Sequence, residues 1–512
     1  MSVRNSSNRQ KSMFWKPIPW KVANEASQVE ASQQPADLKK VGSTRSNTGT
    51  HPLVNTAQNE LLRAYETETK AGFDKIESVL KAVLAEQSRL DFKRWANGEL
   101  FAHLGVTLDE SAWDLDLYPD PKQSFQALFS KVVFAQFSRL SEDFFVNDPI
   151  AGMKKQEATR IFRDAGIHAV GVAPCADGRL AHFVSYVLRL PYSSARRKAR
   201  AGALFDVSES VRDWVFIEHT RFRDGFPNRA EEPTRYLKMA VYHFSKADPS
   251  HQGCAAHGNN DAKAAQAALQ KLKDLRQAIE NRFGCGSTVE TILMGLNTDD
   301  DSLKIHIPNE QGKVCLDRYI ETDKLFKATI GLTAKEARHE IEIAIDQCNL
   351  AHQSTVPKPQ VKRLLAWMIE HNFSQIEYVN QFEHGCYDDI GHAERFIGIG
   401  SGFEEVQLRN LSFYSYLDTV EEGVNDVDIG IKIFKGLNIK RGVPIPIIIR
   451  CDYDGRVPES KERAAQKALR IEKAVHNRYQ ELSSCGLLHT MPTLRDHTSC
   501  QPAEILVDSE WV

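Results

Sequence analysis

The chain has 512 residues, 42% of them hydrophobic and 26% charged, with a formal net charge of -3. It is too long for one compact core and predicts about three domains. The near-neutral balance gives nucleic acid or an anionic membrane no footing, and no apolar run approaches the roughly 20 residues that cross a bilayer.

Residues 1–50 carry eight Lys and Arg against three acids and few aliphatic residues, which predicts a disordered basic tail. Within it, Met13-Phe14-Trp15-Lys16-Pro17-Ile18-Pro19-Trp20 has the make-up of a short docking motif. A solubilising tail with incidental aromatics is the alternative. The first residues lack the apolar core of a secretory signal, so a reducing cytoplasm is expected. The nine scattered cysteines are then free thiols rather than a disulfide framework.

From 51 to 150 the apolar spacing is helical, with one stripe at Ile76, Val79, Leu80, Val83 and Leu84 and another at Leu128, Phe129, Val132, Val133 and Phe137. An all-helical domain without a catalytic cluster is expected. From 151 to 393 strands and helices alternate. Ile167–Val172, Tyr236–Tyr242, Thr288–Leu296 and Leu303–Ile307 have the run length of strands, and Asp261–Phe283 is an amphipathic helix ended by Gly284. That order predicts an α/β domain with a largely parallel sheet, whose ligands bind at the carboxyl ends of the strands. Arg196-Arg197-Lys198-Ala199-Arg200 is expected as a solvated basic face.

Residues 394–512 repeat this order more tersely. Ile397 can be laid on Val170, which sets Gly402 against Cys175. Ile429–Phe434 can be laid on Met239–Phe244, which sets Ile433 against His243. The section is then a degenerate second copy that has lost its sulfur and imidazole; an unrelated C-terminal α/β domain is the alternative.

The chemistry concentrates after the first strand of the 151–393 section, at Pro174-Cys175-Ala176-Asp177-Gly178-Arg179. A second strand ends in His243-Phe244, and the loop beyond it holds His251, Cys254 and His257. Adjacent parallel strands would bring His243 and Cys254 within reach of Cys175. Two thiolates and one imidazole suit Zn2+, and three protein ligands leave one position open for catalysis. Asp177 would accept a hydrogen bond from zinc-bound hydroxide, and Arg179 would hold Asp177 ionised and oriented.

Cys-x-Asp-x-Arg followed by a distant His and Cys resembles the β-class carbonic anhydrases. PCADGRL at 174–180, LRLP at 188–191, PTRYLKMAVYHFS at 233–245 and HQGCAAHGNND at 251–261 are similar to the carboxysomal, or epsilon-class, subgroup. DIGHAERFIGIGSGFEEVQLRN at 389–410 and DVDIGIKIFKGLNIKRGVPIPI at 426–447 extend the likeness to the C-terminal section. The resemblance implies one Zn2+ per chain on Cys175, His243 and Cys254, with Asp177 and Arg179 as the catalytic dyad. Ordinary β-class spacing would instead point to His251, and in some β-class sites the aspartate itself binds the metal. The resemblance further implies a helical domain followed by two β-class-like α/β domains, the second degenerate. It implies interconversion of CO2 and bicarbonate by zinc-hydroxide attack inside a carboxysome, with Rubisco and shell proteins as partners and a homodimer or higher assembly. A CS2 or COS hydrolase on the same fold, or a zinc-clamped scaffold between shell and Rubisco, are the competing functions.

Overall fold

The computed structural model describes residues 50–118, 120–147, 155–191, 194–229, 231, 233–417, 420–499 and 501–506. The basic tail with its aromatic motif lies outside them, as does Cys500. No helix among the described residues is long and apolar enough to cross a membrane.

The N-terminal region is helical: α1 (Thr56–Asp74), α2 (Ile76–Ala85), α3 (Phe92–Leu104) and α4 (Pro121–Asn147). Ile76, Leu80 and Val83 of α2 face Leu128, Val132 and Val133 of α4, all buried in one core. That core is shared with the last third of the chain, since Phe137 packs edge-on against Phe396 at a ring separation of 5.8 Å.

After α5 (Lys155–Asp164) comes a six-stranded sheet of β1 (Ala169–Pro174), β2 (Arg196–Arg197), β3 (Tyr236–Phe244), β4 (Val289–Asn297), β5 (Leu303–His306) and β6 (Tyr319–Glu321). Its order is β2-β1-β3-β4-β5-β6. The first four strands run parallel, and β5 and β6 are antiparallel. Every residue of β1, β3 and β4 is buried, because helices cover both faces of a parallel sheet and select continuous apolar runs. The crossovers are α6 (Val207–Arg223) and α7 (Asp261–Phe283). In α7 the Asn260 side chain caps the first turn by accepting from Lys263 N, and left-handed Gly284 ends the last turn. Then α8 (Thr322–Thr329), α9 (Ala334–Leu350) and α10 (Pro359–Phe382) close the layer.

A five-stranded sheet follows: β7 (Phe396–Gly400), β8 (Ser412–Tyr416), β9 (Ile445–Tyr453), β10 (Leu488–Asp496) and β11 (Glu504–Ile505), with crossover helices α11 (Val420–Leu437) and α12 (Ser460–Arg478). Its order is β11-β10-β9-β7-β8. Four strands are again parallel and the edge strand β11 is antiparallel. Both sheets therefore place their first strand between their second and third, and both follow the third with a helix and a fourth parallel strand.

Two expectations need correction. Ile429–Phe434 is not a strand but part of α11. Val427, Ile431 and Phe434 are buried at helical spacing, and Gly430 lets the helix approach the Phe413 ring, whose Cδ1 would lie 2.8 Å from an added Cβ. The strand matching β3 is β9. Val170 pairs with Leu237 and Ile397 with Ile447, so six residues further on His243 faces Tyr453 rather than Ile433. The basic run at 196–200 is also not a solvated face. Lys198 and Arg200 are buried, Lys198 Nζ bonds Asp213 Oδ2 at 2.7 Å and also pairs with Glu209, and Arg200 Nη2 bonds Glu209 Oε2 at 3.0 Å.

Candidate metal centre

Cys175 directly follows β1, and its backbone N–H still bonds the Val241 carbonyl of β3 at 3.2 Å. His243 is the penultimate residue of β3, and Cys254 lies on the loop beyond it. The two neighbouring strand ends thus bring Cys175, His243 and Cys254 together, with one ligand atom of each within 4.8 Å of the others. All three are buried.

The donor set fits a metal ion. The two sulfurs are 3.9 Å apart, and neither His243 ring nitrogen has a hydrogen-bond partner although the residue is fully buried. An unsatisfied buried polar group of this kind costs about 1–3 kcal/mol, which a bound cation would relieve. Hydrogen bonding to Cys254 and burial push the Cys175 thiol well above its ordinary pKa, while that same contact lowers Cys254. Gly202 N donates to Cys175 Sγ at 3.3 Å. Gly202 is left-handed, and a Cβ there would stand 2.7 Å from His257 Nε2, so a side chain would displace the loop that supplies this donor.

Asp177 and Arg179 form a fork on the turn after Cys175. Arg179 Nε bonds Asp177 Oδ1 at 2.9 Å, and Nη2 bonds Oδ2 at 2.7 Å. Burial alone would raise the Asp177 pKa, but Arg179, with help from His392 and His243, holds it well below the carboxylate range. The third guanidinium nitrogen reaches the Gln252 carbonyl at 2.9 Å and the Ile390 carbonyl at 3.1 Å. Arg179 therefore ties together the turn, the cysteine loop and the segment leading to β7. Asp177 Oδ2 stands 3.5 Å from His243 Nε2. His251 is well exposed and bonds Asp248 at 2.9 Å, outside the cluster. His182 pairs with Asp301, and His168 accepts from Arg235 N, both away from the cluster.

Several participants were missed by the sequence reading. Phe413, Ile429 and Ile433 close the pocket in which Cys175 and Asp177 lie, together with Ala201, Gly202, Ala255 and Ala256. Tyr414 N and Tyr416 N of β8 bond the carbonyls of Ala176 and Ala199, so the second sheet is stitched onto the rim of the site. His392 and Glu394 also approach Asp177 and form with it a second group whose ligand atoms lie within 4.8 Å. Both stand in the run DIGHAERF, two residues apart, but nothing in their spacing reveals that they face the turn at 177.

Residues 51–145, 157–392 and 393–510 match, in turn, the N-terminal, catalytic and C-terminal models of the carboxysome shell carbonic anhydrases. The chain is 66% identical to the carboxysome shell carbonic anhydrase of Hydrogenovibrio crunogenus, over 99% of this chain and 98% of the relative. It is 47% identical to that of Parasynechococcus marenigrum over 89% of this chain and 78% of the relative. It is 38% identical to that of Halothiobacillus neapolitanus over 95% of this chain and 96% of the relative.

Proposed function

The chain belongs to the carboxysome shell carbonic anhydrase family and is a carbonic anhydrase, and from that premise we propose that its reaction runs at one Zn2+ held by Cys175, His243 and Cys254. The observation that carries this reading is the fully buried His243 ring, with no hydrogen-bond partner at either nitrogen, beside two cysteine sulfurs. Two soft sulfurs and an imidazole suit zinc, and three ligands leave a fourth position for reaction. Bound there, the ion would supply a Lewis acid that brings the ionisation of water close to neutral pH.

The chain's own residues supply the rest. Asp177, held ionised, can only accept a hydrogen bond, so it orients a reacting water with its lone pair turned into the pocket. Arg179 occupies both Asp177 oxygens, which favours Asp177 as this acceptor over Asp177 as a fourth ligand. Phe413, Ile429 and Ile433 offer CO2 an apolar wall and exclude competing water. In the reverse direction the hydroxyl of bicarbonate donates to Asp177.

In this proposal a helical unit (51–150) precedes a metal-bearing unit (151–393) and a degenerate copy (394–512). The shared strand order of the two sheets supports the copy. The enzyme acts within a carboxysome, where dehydration of bicarbonate supplies CO2 to Rubisco; the names of its relatives support that location. Rubisco, shell proteins and a second copy of the chain are its proposed partners.

Stopped-flow CO2 hydration by the reduced, zinc-loaded protein tests the reading, with Asp177→Asn alongside. Asp177→Asn should keep its zinc and lose roughly a hundredfold in kcat/KM. Unchanged kcat/KM in that variant, or hydrolysis of CS2 with no hydration of CO2, would overturn the proposed reaction.

A further inference from the structure

On the α6 side of the first sheet, every carboxylate oxygen of Glu209 and Asp213 is engaged by a basic side chain. Arg196 Nη1 bonds Asp213 Oδ1 at 2.7 Å, and Lys198 Nζ bonds Asp213 Oδ2 at 2.7 Å. Lys198 Nζ also pairs with Glu209 Oε1, and Arg200 Nη2 bonds Glu209 Oε2 at 3.0 Å. A further basic residue, Lys238, shares this space. It is the third residue of β3 and is 1% exposed. Among the described residues it forms no ion pair, because the carboxylates beside it are already taken.

Lys238 Nζ rests instead 4.4 Å from the centre of the Phe205 ring. Gly171, its register partner on β1, gives the lysine stem room: an added Cβ would stand 3.5 Å from Lys238 Cδ and 2.2 Å from Tyr236 Oη. A buried ammonium without an anion is costly, and losing its proton relieves that cost. Burial first, and then the charge of Lys198, lowers the Lys238 pKa to about 8, so close to half of the amine is free at about pH 8. A desolvated lysine beside another cation is an activated nucleophile. Segment 201–205 links this amine to the reaction pocket. Ala201 and Gly202 wall the pocket, and Phe205 covers Lys238 three residues later. The electrophile this enzyme meets is CO2, which is small and uncharged and can pass between apolar side chains that stop bicarbonate.

We propose that Lys238 is a carbamylation site, at which the free amine takes up CO2 and the resulting carbamate pairs with Lys198 and Arg196. The Nζ lone pair forms an N–C bond to CO2, one C=O π bond breaks onto oxygen, and Nζ gives up a proton to a buffer base: R-NH2 + CO2 → R-NH-COO- + H+. The step puts an anion where the buried cluster had a base without one. It reverses when CO2 falls, so occupancy of the site follows the CO2 concentration around the enzyme.

This inference needs CO2 and the Lys238 amine but not the zinc reading, and the two fail separately. The full-length protein is equilibrated with carbon-13-labelled CO2 at about pH 8, and carbamate is read by carbon-13 NMR. Trapping with triethyloxonium ion, followed by peptide mass spectrometry, locates it. Lys238 should carry carbamate at least about tenfold above the mean of the exposed lysines, and the signal should vanish on purging with nitrogen. Lys238→Arg, judged by bound zinc and thermal midpoint, should lose that resonance, and Lys238→Met replaces it if it misfolds. Asp177→Asn should keep the resonance even where hydration has stopped. Carbamate confined to the amino terminus and exposed lysines overturns the site, and so does a resonance unchanged in the Lys238 variants. A wild-type protein that forms the carbamate but does not hydrate CO2 counts against the parent reading alone.

Discussion

The two sheets follow one plan and use it differently at the ends of their first and third strands. In the first, the strand ends bring Cys175 and His243 beside Cys254, a group that could hold a metal ion. In the second, the matching positions are Gly402 and Tyr453, and charged side chains fill the space. Arg450, fully buried, bonds Asp452 Oδ1 at 2.9 Å and also pairs with Glu405 and Glu404. A Cβ added to Gly402 would lie 2.2 Å from Asp452 Oδ2. Burial lifts the Asp452 pKa to about 6 even beside Arg450. The comparison teaches that the same topology can end in a site or in a plug, and that side chains at a few strand-end positions decide which.

Making the first half resemble the second should have the largest effect. Cys175→Gly, which copies Gly402, should abolish zinc binding and cut hydration by at least about a thousandfold, read by metal analysis and stopped-flow. The converse loss lies in stability. Arg450→Leu leaves the carboxylates of Asp452 and Glu405 uncompensated and should cost about 3–5 kcal/mol in urea unfolding, with zinc content unchanged. An equal stability in that variant would show that the plug is dispensable. A smaller effect should come from the wall that the second half lends to the first. Ile433→Ala should lower kcat/KM for CO2 roughly tenfold while stoichiometric zinc is retained. The mildest prediction concerns pH and rests on residues outside the second half. Burial holds His51, His168 and His306 each near pKa 4, below the ordinary 6.5. The unfolded chain then binds more protons than the folded one between those values. Stability should be full above about pH 6.5 and fall as the pH drops towards 4, a trend that thermal midpoints across that window would reveal.

Local signals made β1, β3, β4 and β5 readable and singled out the Cys175–Arg179 turn as a candidate site. Asp261–Phe283 is bounded by an N-cap and a glycine, and the structure places the helix at those residues. The Cys175–Arg179 turn announced itself because thiol, carboxylate and guanidinium share five positions at a strand end. What stayed hidden depended on distant contacts. Ile-Gly-Ile-Lys-Ile alternates as a strand would, yet its neighbours at 427 and 434 complete a helical stripe that packs on the second sheet. Over so short an apolar run the two periods are indistinguishable. The burial of Lys198 and Arg200 rests on Glu209 and Asp213 of the next helix, and charge patterning within the run could not supply those partners. Ile433 and His392 reach the site across 179 and 215 positions of chain from positions 254 and 177, separations that no local pattern encodes.

The pocket walled by Ala201 and Ala255 from one half and Phe413 and Ile433 from the other has a consequence for concentration. Were these walls on separate molecules, the pocket would come apart on dilution with the dissociation constant of the pair. On one chain the second wall is present at an effective concentration set by covalent connection, however few molecules share the compartment. The completeness of each reaction pocket is thus a property of the single polypeptide, and it survives at copy numbers where a subunit pair would already have parted.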